Sequence, residues 1–166
     1  GLARTASVRR DDRGAIKKQM KTTIGKTKNE KFRSIAILVL SLLGFLISLY
    51  LLPVHWGWWQ AVCLGVGDCE YVNTSRYSEL FGIPVALLGA GAYAALIATV
   101  ILIERDRYAE IARRAQFFIA AIGVAFSVYL TYIELFVLGA ICPWCVLSAI
   151  AITLIAAFSL WEMVAT

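Results

Sequence analysis

Four uninterrupted apolar stretches, roughly Ile35 to Pro53, Ile83 to Ile103, Phe117 to Leu138 and Val146 to Val164, leave this chain few ways to fold. Each is near the ~20 residues a helix needs to cross about 30 Å of hydrocarbon. Leu, Ile and Val run round every side of these stretches without strict alternation, which disfavours a membrane barrel of short alternating strands. With 60% of its 166 residues hydrophobic and 16% charged, the chain lacks the balance of a water-soluble domain. The expected fold is an all-α membrane protein. Residues 34–166 are expected to form a four-transmembrane-helix bundle with a long exoplasmic loop between helices 1 and 2, and residues 1–33 a disordered, basic cytoplasmic tail.

Basic residues set the orientation. Arg4, Arg9, Arg10, Arg13, Lys17, Lys18, Lys21, Lys26, Lys28, Lys31 and Arg33 precede the first stretch, and Arg105, Arg107, Arg113 and Arg114 lie between the second and third. Both regions are expected to be cytoplasmic, as are both termini. The first-to-second connection, about Val54 to Gly82, sets only Arg76 against Asp68, Glu70 and Glu79, and Gly139 to Ile141 carries no charge. These two connections are expected on the opposite, oxidising side. The first stretch reads as a retained helix, since Ser48 to Pro53 offers no small-residue cleavage site. Beside a membrane helix the basic tail reads as a topology signal touching anionic lipid, with no nucleic acid as partner. Gly1 to Thr5 fits a myristoylation signal only loosely, and four helices make such an anchor redundant.

The chemistry is concentrated in sulfur. Cys63 and Cys69 lie in the first exoplasmic connection, and Cys142-Pro143-Trp144-Cys145 opens the last apolar stretch. Disulfides form and persist in such a compartment. Gly65 and Gly67 let the loop backbone turn back, so a Cys63–Cys69 disulfide is feasible. The dozen or more residues from Cys69 to Ile83 are slack enough to fold across the helix ends and bring Cys69 near Cys142. A pair in the first turn of a helix sits where negative charge is stabilised, so the first of the two thiols is expected to have a lowered pKa. Static staples and a zinc site are the competing readings. The two-residue spacing of Cys142 and Cys145 argues against the first, and the six-residue step from Cys63 to Cys69 fits a zinc ligand set poorly; no metal is expected.

The combination resembles a known family. A loop pair, then Ser75 six positions after the second loop cysteine, then Phe81-Gly82-Ile83-Pro84-Val85, then Cys-x-x-Cys opening the fourth helix, looks like the bacterial branch of the vitamin K epoxide reductase family. The likeness covers about Ser48 to Ile150. The other quinone-linked family of membrane thiol oxidases places its Cys-x-x-Cys in the first loop, the reverse of the order here.

The resemblance implies a function. Cys142 and Cys145 match the active pair beside a quinone of the ubiquinone or menaquinone class, and Cys63 and Cys69 match the pair that passes electrons from a thioredoxin-like partner. A reduced partner would attack Cys63, Cys69 would then attack Cys142, and Cys145 would be released as a thiolate facing the quinone. The expected enzyme is a quinone-dependent membrane thiol oxidoreductase of a bacterial inner membrane that supports disulfide-bond formation in exported proteins. The alternatives are a thiol-driven quinone or vitamin K epoxide reductase and, outside enzymes, a disulfide-stapled membrane scaffold. Many bacterial members carry a fused thioredoxin-like domain after the fourth helix. This sequence ends at Thr166, so a separate partner protein is expected. Ala149 stands where the vertebrate branch has a tyrosine, so epoxide reduction is not carried over.

Other candidates have bland readings beside them. Ser75 matches a family hydroxyl linked to the quinone site, yet in Asn73-Thr74-Ser75 it is equally a turn residue. Trp144 is placed to stack on a quinone ring or to anchor at the interface, and anchoring is expected of Trp56, Trp58 and Trp59. His55, the sole histidine, is expected to be interfacial rather than a proton relay. Glu134, about two turns before Cys142 at helical spacing, is a functional candidate because burying an acid there is costly, although the segment is ending there and a carboxylate that simply reaches the headgroups is the favoured reading. Gly89 and Gly91 are expected to permit close helix packing.

Overall fold

Helices account for most of the chain in the computed structural model, which describes the backbone of residues 2–63, 65, 67–104 and 108–165 and the side chains of 28–63, 65, 67–104 and 108–164. In chain order come α1 (Leu2–His55), α2 (Cys69–Thr74), a 3-10 turn (Arg76–Ser78), β1 (Glu79–Leu80), β2 (Ile83–Pro84), α3 (Val85–Ile103), α4 (Ala109–Tyr132), a π-helical segment (Ile133–Leu138) and α5 (Pro143–Ala165). Four helical stretches are long and apolar enough to cross a membrane: Lys28–His55, Val85–Ile103, Ala109–Leu138 and Pro143–Val164. Arg105 and Arg107, part of the orientation argument, lie outside the described residues, as do the side chains of the basic residues up to Lys26.

The chain falls into two compact units, Gly1–Ala36 and Ile37–Thr166. The first differs from the disordered tail read from the sequence, because its backbone is helical from Leu2 as part of α1. Its Ala, Arg, Lys, Gln and Met residues are good helix formers, and Pro53 is the first proline in the chain. A helix already nucleated by an apolar segment adds such residues at little cost.

All four spanning helices meet in the second unit. Ile37 of α1, Tyr93, Leu96 and Val100 of α3, Ala120 of α4, and Ile152 and Ile155 of α5 form one buried cluster. Small residues bring the backbones together: a Cβ on Gly44 would collide with the Tyr93 ring, and one on Gly89 would lie 2.9 Å from Ser48 Oγ. Gly91 does not share that role, since a Cβ there would meet nothing within 4 Å. Between α3, α4 and α5 a buried chain runs from Thr99 Oγ1 to Gln116 Oε1 (3.2 Å) and from Gln116 Nε2 to Ser159 Oγ (3.0 Å). Within hydrocarbon, polar side chains must satisfy one another in this way.

The connection from α1 to α3 is structured. α1 stops when the Gly57 and Trp58 N–H groups donate to the carbonyls of Val54 and Pro53 (both 3.0 Å). Beyond α2, β1 and β2 form a small antiparallel hairpin pairing Glu79 with Pro84 and Leu80 with Ile83. The sequence reading contains no strand and starts the second helix at Ile83. Phe81 and Gly82 instead take positive φ values of 53° and 80°, the turn geometry that suits a two-residue hairpin, and α3 begins only at Val85.

Candidate active site at the sulfur cluster

Cys63 and Cys69 are disulfide-bonded, with Cα atoms 6.0 Å apart, while Cys142 and Cys145 are free thiols. Gly67, with φ +92°, lets the chain turn within the disulfide-closed loop just before α2 begins at Cys69. A Cβ there would also collide with the Ile141 carbonyl, so the loop backbone lies directly against the chain entering α5. That contact seats one cysteine pair over the other. Cys69 and Cys142 are both fully buried and share a cluster with Val72, and Cys63, Trp144 and Cys145 pack against its edge. The loop slack read from the sequence is used as expected, and it is the second loop cysteine that lies innermost.

Three tethers hold the loop. Trp144 Nε1 donates to the Val62 carbonyl (3.0 Å), and its ring lies 5.3 Å from that of Tyr50, whose hydroxyl accepts the Val62 N–H (3.0 Å). His55 Nδ1 donates to the Asn73 carbonyl (2.7 Å), and its Nε2 pairs with Glu79 Oε1 (3.1 Å). Asn73 in turn donates from Nδ2 to the Cys69 carbonyl (2.9 Å) and lies 3.7 Å from Cys142 Sγ. His55 is thus a clasp between the end of α1 and the loop.

The start of α5 explains the asymmetry of the two thiols. Pro143 occupies the first helical position, where its missing N–H is no loss, and the Cys142 carbonyl accepts the Val146 N–H (3.1 Å). Cys142 therefore stands where a helix cap would, and its Sγ accepts the Cys145 N–H at 3.4 Å. The Cys142 thiol is held below the usual thiol range, chiefly by a hydrogen bond from the Cys145 thiol; backbone N–H groups of Cys145 and Trp144 add to this, while burial and the Glu134 carboxylate oppose it. A lowered first thiol agrees with the sequence reading.

Glu134 reaches this point by a route the sequence spacing does not describe. The helix widens to π geometry over Ile133–Leu138, Gly139 turns the chain with φ +61°, and the Ala140 N–H donates back to the Glu134 carbonyl (3.1 Å). The chain reverses rather than continuing two helical turns. Glu134 Oε2 thereby accepts the Cys142 N–H at 3.1 Å from a side chain only 5% exposed.

Beneath the cysteines lies a cavity of about 450 Å³. Ile47, Leu51, Leu88, Ile122, Phe126 and Ile152 supply apolar wall, and the polar groups are few: Ser48, Asn73, Tyr93, Glu134, Cys145 and Ser148 among them. Such a lining suits a flat apolar ring system with a polar edge. Cys145 borders this cavity and Cys142 does not. Of the three residues read as neighbours of a bound quinone, Cys145 borders the cavity and Ser75 and Trp144 do not. Trp144 is occupied in tethering the loop, and Ser75 donates to the Val72 carbonyl (2.7 Å) and borders only an adjacent cavity of about 40 Å³. Ser48, Asn73, Tyr93, Ser127, Thr131 and Ser148 are polar neighbours that sequence reasoning missed. Tyr93 sits on an apolar helix with no local sign that its hydroxyl meets Ser148 Oγ at 2.8 Å.

A membrane-embedded dithiol, roofed by a disulfide-bearing loop and bordering an apolar cavity, defines a class of integral-membrane oxidoreductase acting on thiols and disulfides. The chain belongs to the vitamin K epoxide reductase family, whose model matches residues 35–160. Proteins of that family use quinones.

Proposed function

We propose that this protein oxidises a separate thioredoxin-like partner on the oxidising side of a bacterial cell membrane, relaying electrons through Cys63/Cys69 and Cys142/Cys145 to a quinone. The observation that carries this reading is the division of the active pair: Cys142 is buried against Cys69, whereas Cys145 borders the apolar cavity. Half-buried Cys63 is the loop sulfur offered to an outside thiol, and attack there frees Cys69. Cys69 then attacks Cys142 of the oxidised pair, and Cys145 leaves as the thiolate. The partner's second thiol then displaces Cys63 from their mixed disulfide, closing the partner's own disulfide, and the freed Cys63 attacks Cys69 of the Cys69–Cys142 bridge, which restores the loop disulfide and leaves two thiols in the helix pair, the arrangement present in the structure.

A quinone, when bound, supplies the two-electron acceptor. Cys145 with Ser48, Asn73, Tyr93 and Ser148 would hold its polar edge, and the apolar walls would exclude water from its ring. Re-forming the Cys142–Cys145 bond releases two electrons and two protons. The scarcity of positive charge in the loop and its abundance near the other helix ends support the cysteine side as exoplasmic and both termini as cytoplasmic.

The test supplies purified full-length protein with a reduced dithiol partner and a panel of soluble quinones. Quinone-dependent loss of partner thiols is expected; its absence with every quinone rejects the proposal. Labelling by an impermeant thiol reagent after reduction is expected only from the exoplasmic face, and labelling only from the cytoplasm would reverse the topology.

A further inference from the structure

Glu134 has no cationic partner among the described residues, although it is buried within a span of hydrocarbon length. A carboxylate in such a place carries a large desolvation cost. Its contacts are specific to the reacting pair: Oε2 accepts the Cys142 N–H (3.1 Å), and the carboxyl group meets the Cys145 thiol. It also borders the same cavity as Cys145. The π-helical turn and left-handed Gly139 that deliver it there are local departures from a straight helix, and such π segments recur at functional sites. A residue needed only to cap α5 would not have to be ionisable or open onto the cavity.

We infer that Glu134 is the catalytic proton acceptor of Cys145 and passes that proton toward the quinone; this rests on the quinone-linked reading above. Cys142 enters the step as thiolate, its proton already lost to solvent, and Cys145 enters as thiol. As the Cys142–Cys145 bond forms, the two sulfurs release one proton and two electrons. Glu134 takes the proton and returns it to a quinone oxygen, the two electrons reduce the quinone, and a second proton from water completes the quinol. Two protons and two electrons then balance on each side. Among the described residues, Tyr93 is the other ionisable side chain beside Cys145 on the larger cavity that Glu134 borders and Tyr77 on the smaller, and Tyr93 is committed to Ser148.

Full-length protein with its loop disulfide intact and its helix pair reduced is compared as wild type, Glu134→Gln and Glu134→Asp. Glutamine keeps an acceptor for the Cys142 N–H and loses the proton site, whereas aspartate keeps the acid. Single-turnover oxidation by a soluble quinone is expected to slow by about 10²-fold or more in Glu134→Gln, with partial recovery in Glu134→Asp. The first attack of Cys142 on a small disulfide, read as the mixed disulfide formed before Cys145 loses its proton, is expected to stay near the wild-type rate. Independently of quinone, thiolate absorbance is expected to place the Cys142 transition at lower pH in Glu134→Gln, because an opposing negative charge is gone. Equal quinone rates in wild type and Glu134→Gln would overturn this inference and leave the proposed function standing. Equal slowing of that first attack of Cys142, with no change in the Cys142 transition, would reduce Glu134 to a structural cap. Wild type oxidised by the disulfide yet inert to every quinone overturns both readings.

Discussion

The side of the active pair that faces the loop and the side that faces the cavity are built from different materials. On the loop side, Cys142 meets Cys69 under a roof held by hydrogen bonds that His55, Asn73 and Trp144 donate and the Tyr50 hydroxyl accepts. On the cavity side, Cys145 looks past Glu134 onto apolar walls drawn from α1, α3, α4 and α5. Polar tethers fix a direction for thiol exchange and tolerate water; an apolar cavity admits a ring and keeps water out. The difference teaches that two sulfurs within one helical turn serve separate steps, and it predicts substitutions that damage one side and spare the other.

The largest effect is expected from Cys145→Ala, which leaves Cys142 without a partner on either route and should reduce quinone-dependent thiol oxidation to background. Gly67→Ala should damage the loop side alone. Its φ of +92° strains a side chain and its Cβ meets the Ile141 carbonyl, so a cost of about 1–3 kcal/mol should slow exchange between the pairs by roughly 10- to 100-fold. Stopped-flow exchange should show this while direct oxidation of the reduced helix pair by quinone is preserved. Ala149→Phe should do the reverse: overpacking the cavity at about 1–3 kcal/mol should raise the quinone concentration for half-maximal rate by about tenfold or more and leave exchange intact.

A smaller effect concerns pH. The thiolate is the nucleophile and the Cys142 pKa is lowered, so its thiolate fraction rises with pH through a midpoint below that of the same thiol without its hydrogen bonds. The hydrogen bond from Cys145 is the leading cause, so Cys145→Ser should keep the midpoint low and Cys145→Ala should raise it, read as thiolate absorbance. Smallest should be His55→Ala, which removes its loop contacts with Asn73, Ser78 and Glu79 at about 1 kcal/mol and should show as faster hydrogen exchange around Asn73 with little change in turnover.

The bundle was legible because hydrocarbon imposes one rule, and four stretches of sufficient length obey it. The sulfur site was legible in outline because the spacing of Cys142 and Cys145 and the glycines of the loop act locally. Long-range side-chain partners were not. Whether Trp144 stacks on a ring or ties down Val62 depends on where the loop lies, and no residue near Trp144 in sequence encodes that. Ser75 read equally as a site hydroxyl and as a turn residue, and it donates to the Val72 carbonyl three residues back. Glu134 was visible as a costly acid, yet its meeting with Cys142 depends on a widened turn that apolar periodicity cannot signal. The same limit hid the Phe81–Gly82 hairpin, whose strands are two residues each.

The central claim is that Cys69, and not Cys63, exchanges with Cys142. It is tested most directly by disulfide mapping of two double variants, Cys63→Ser/Cys145→Ser and Cys69→Ser/Cys145→Ser, after mild oxidation in the membrane. The account predicts an intramolecular Cys69–Cys142 bridge in the first and no bridge in the second. A Cys63–Cys142 bridge in the second, with Cys69 and Cys142 left as thiols in the first, would contradict it.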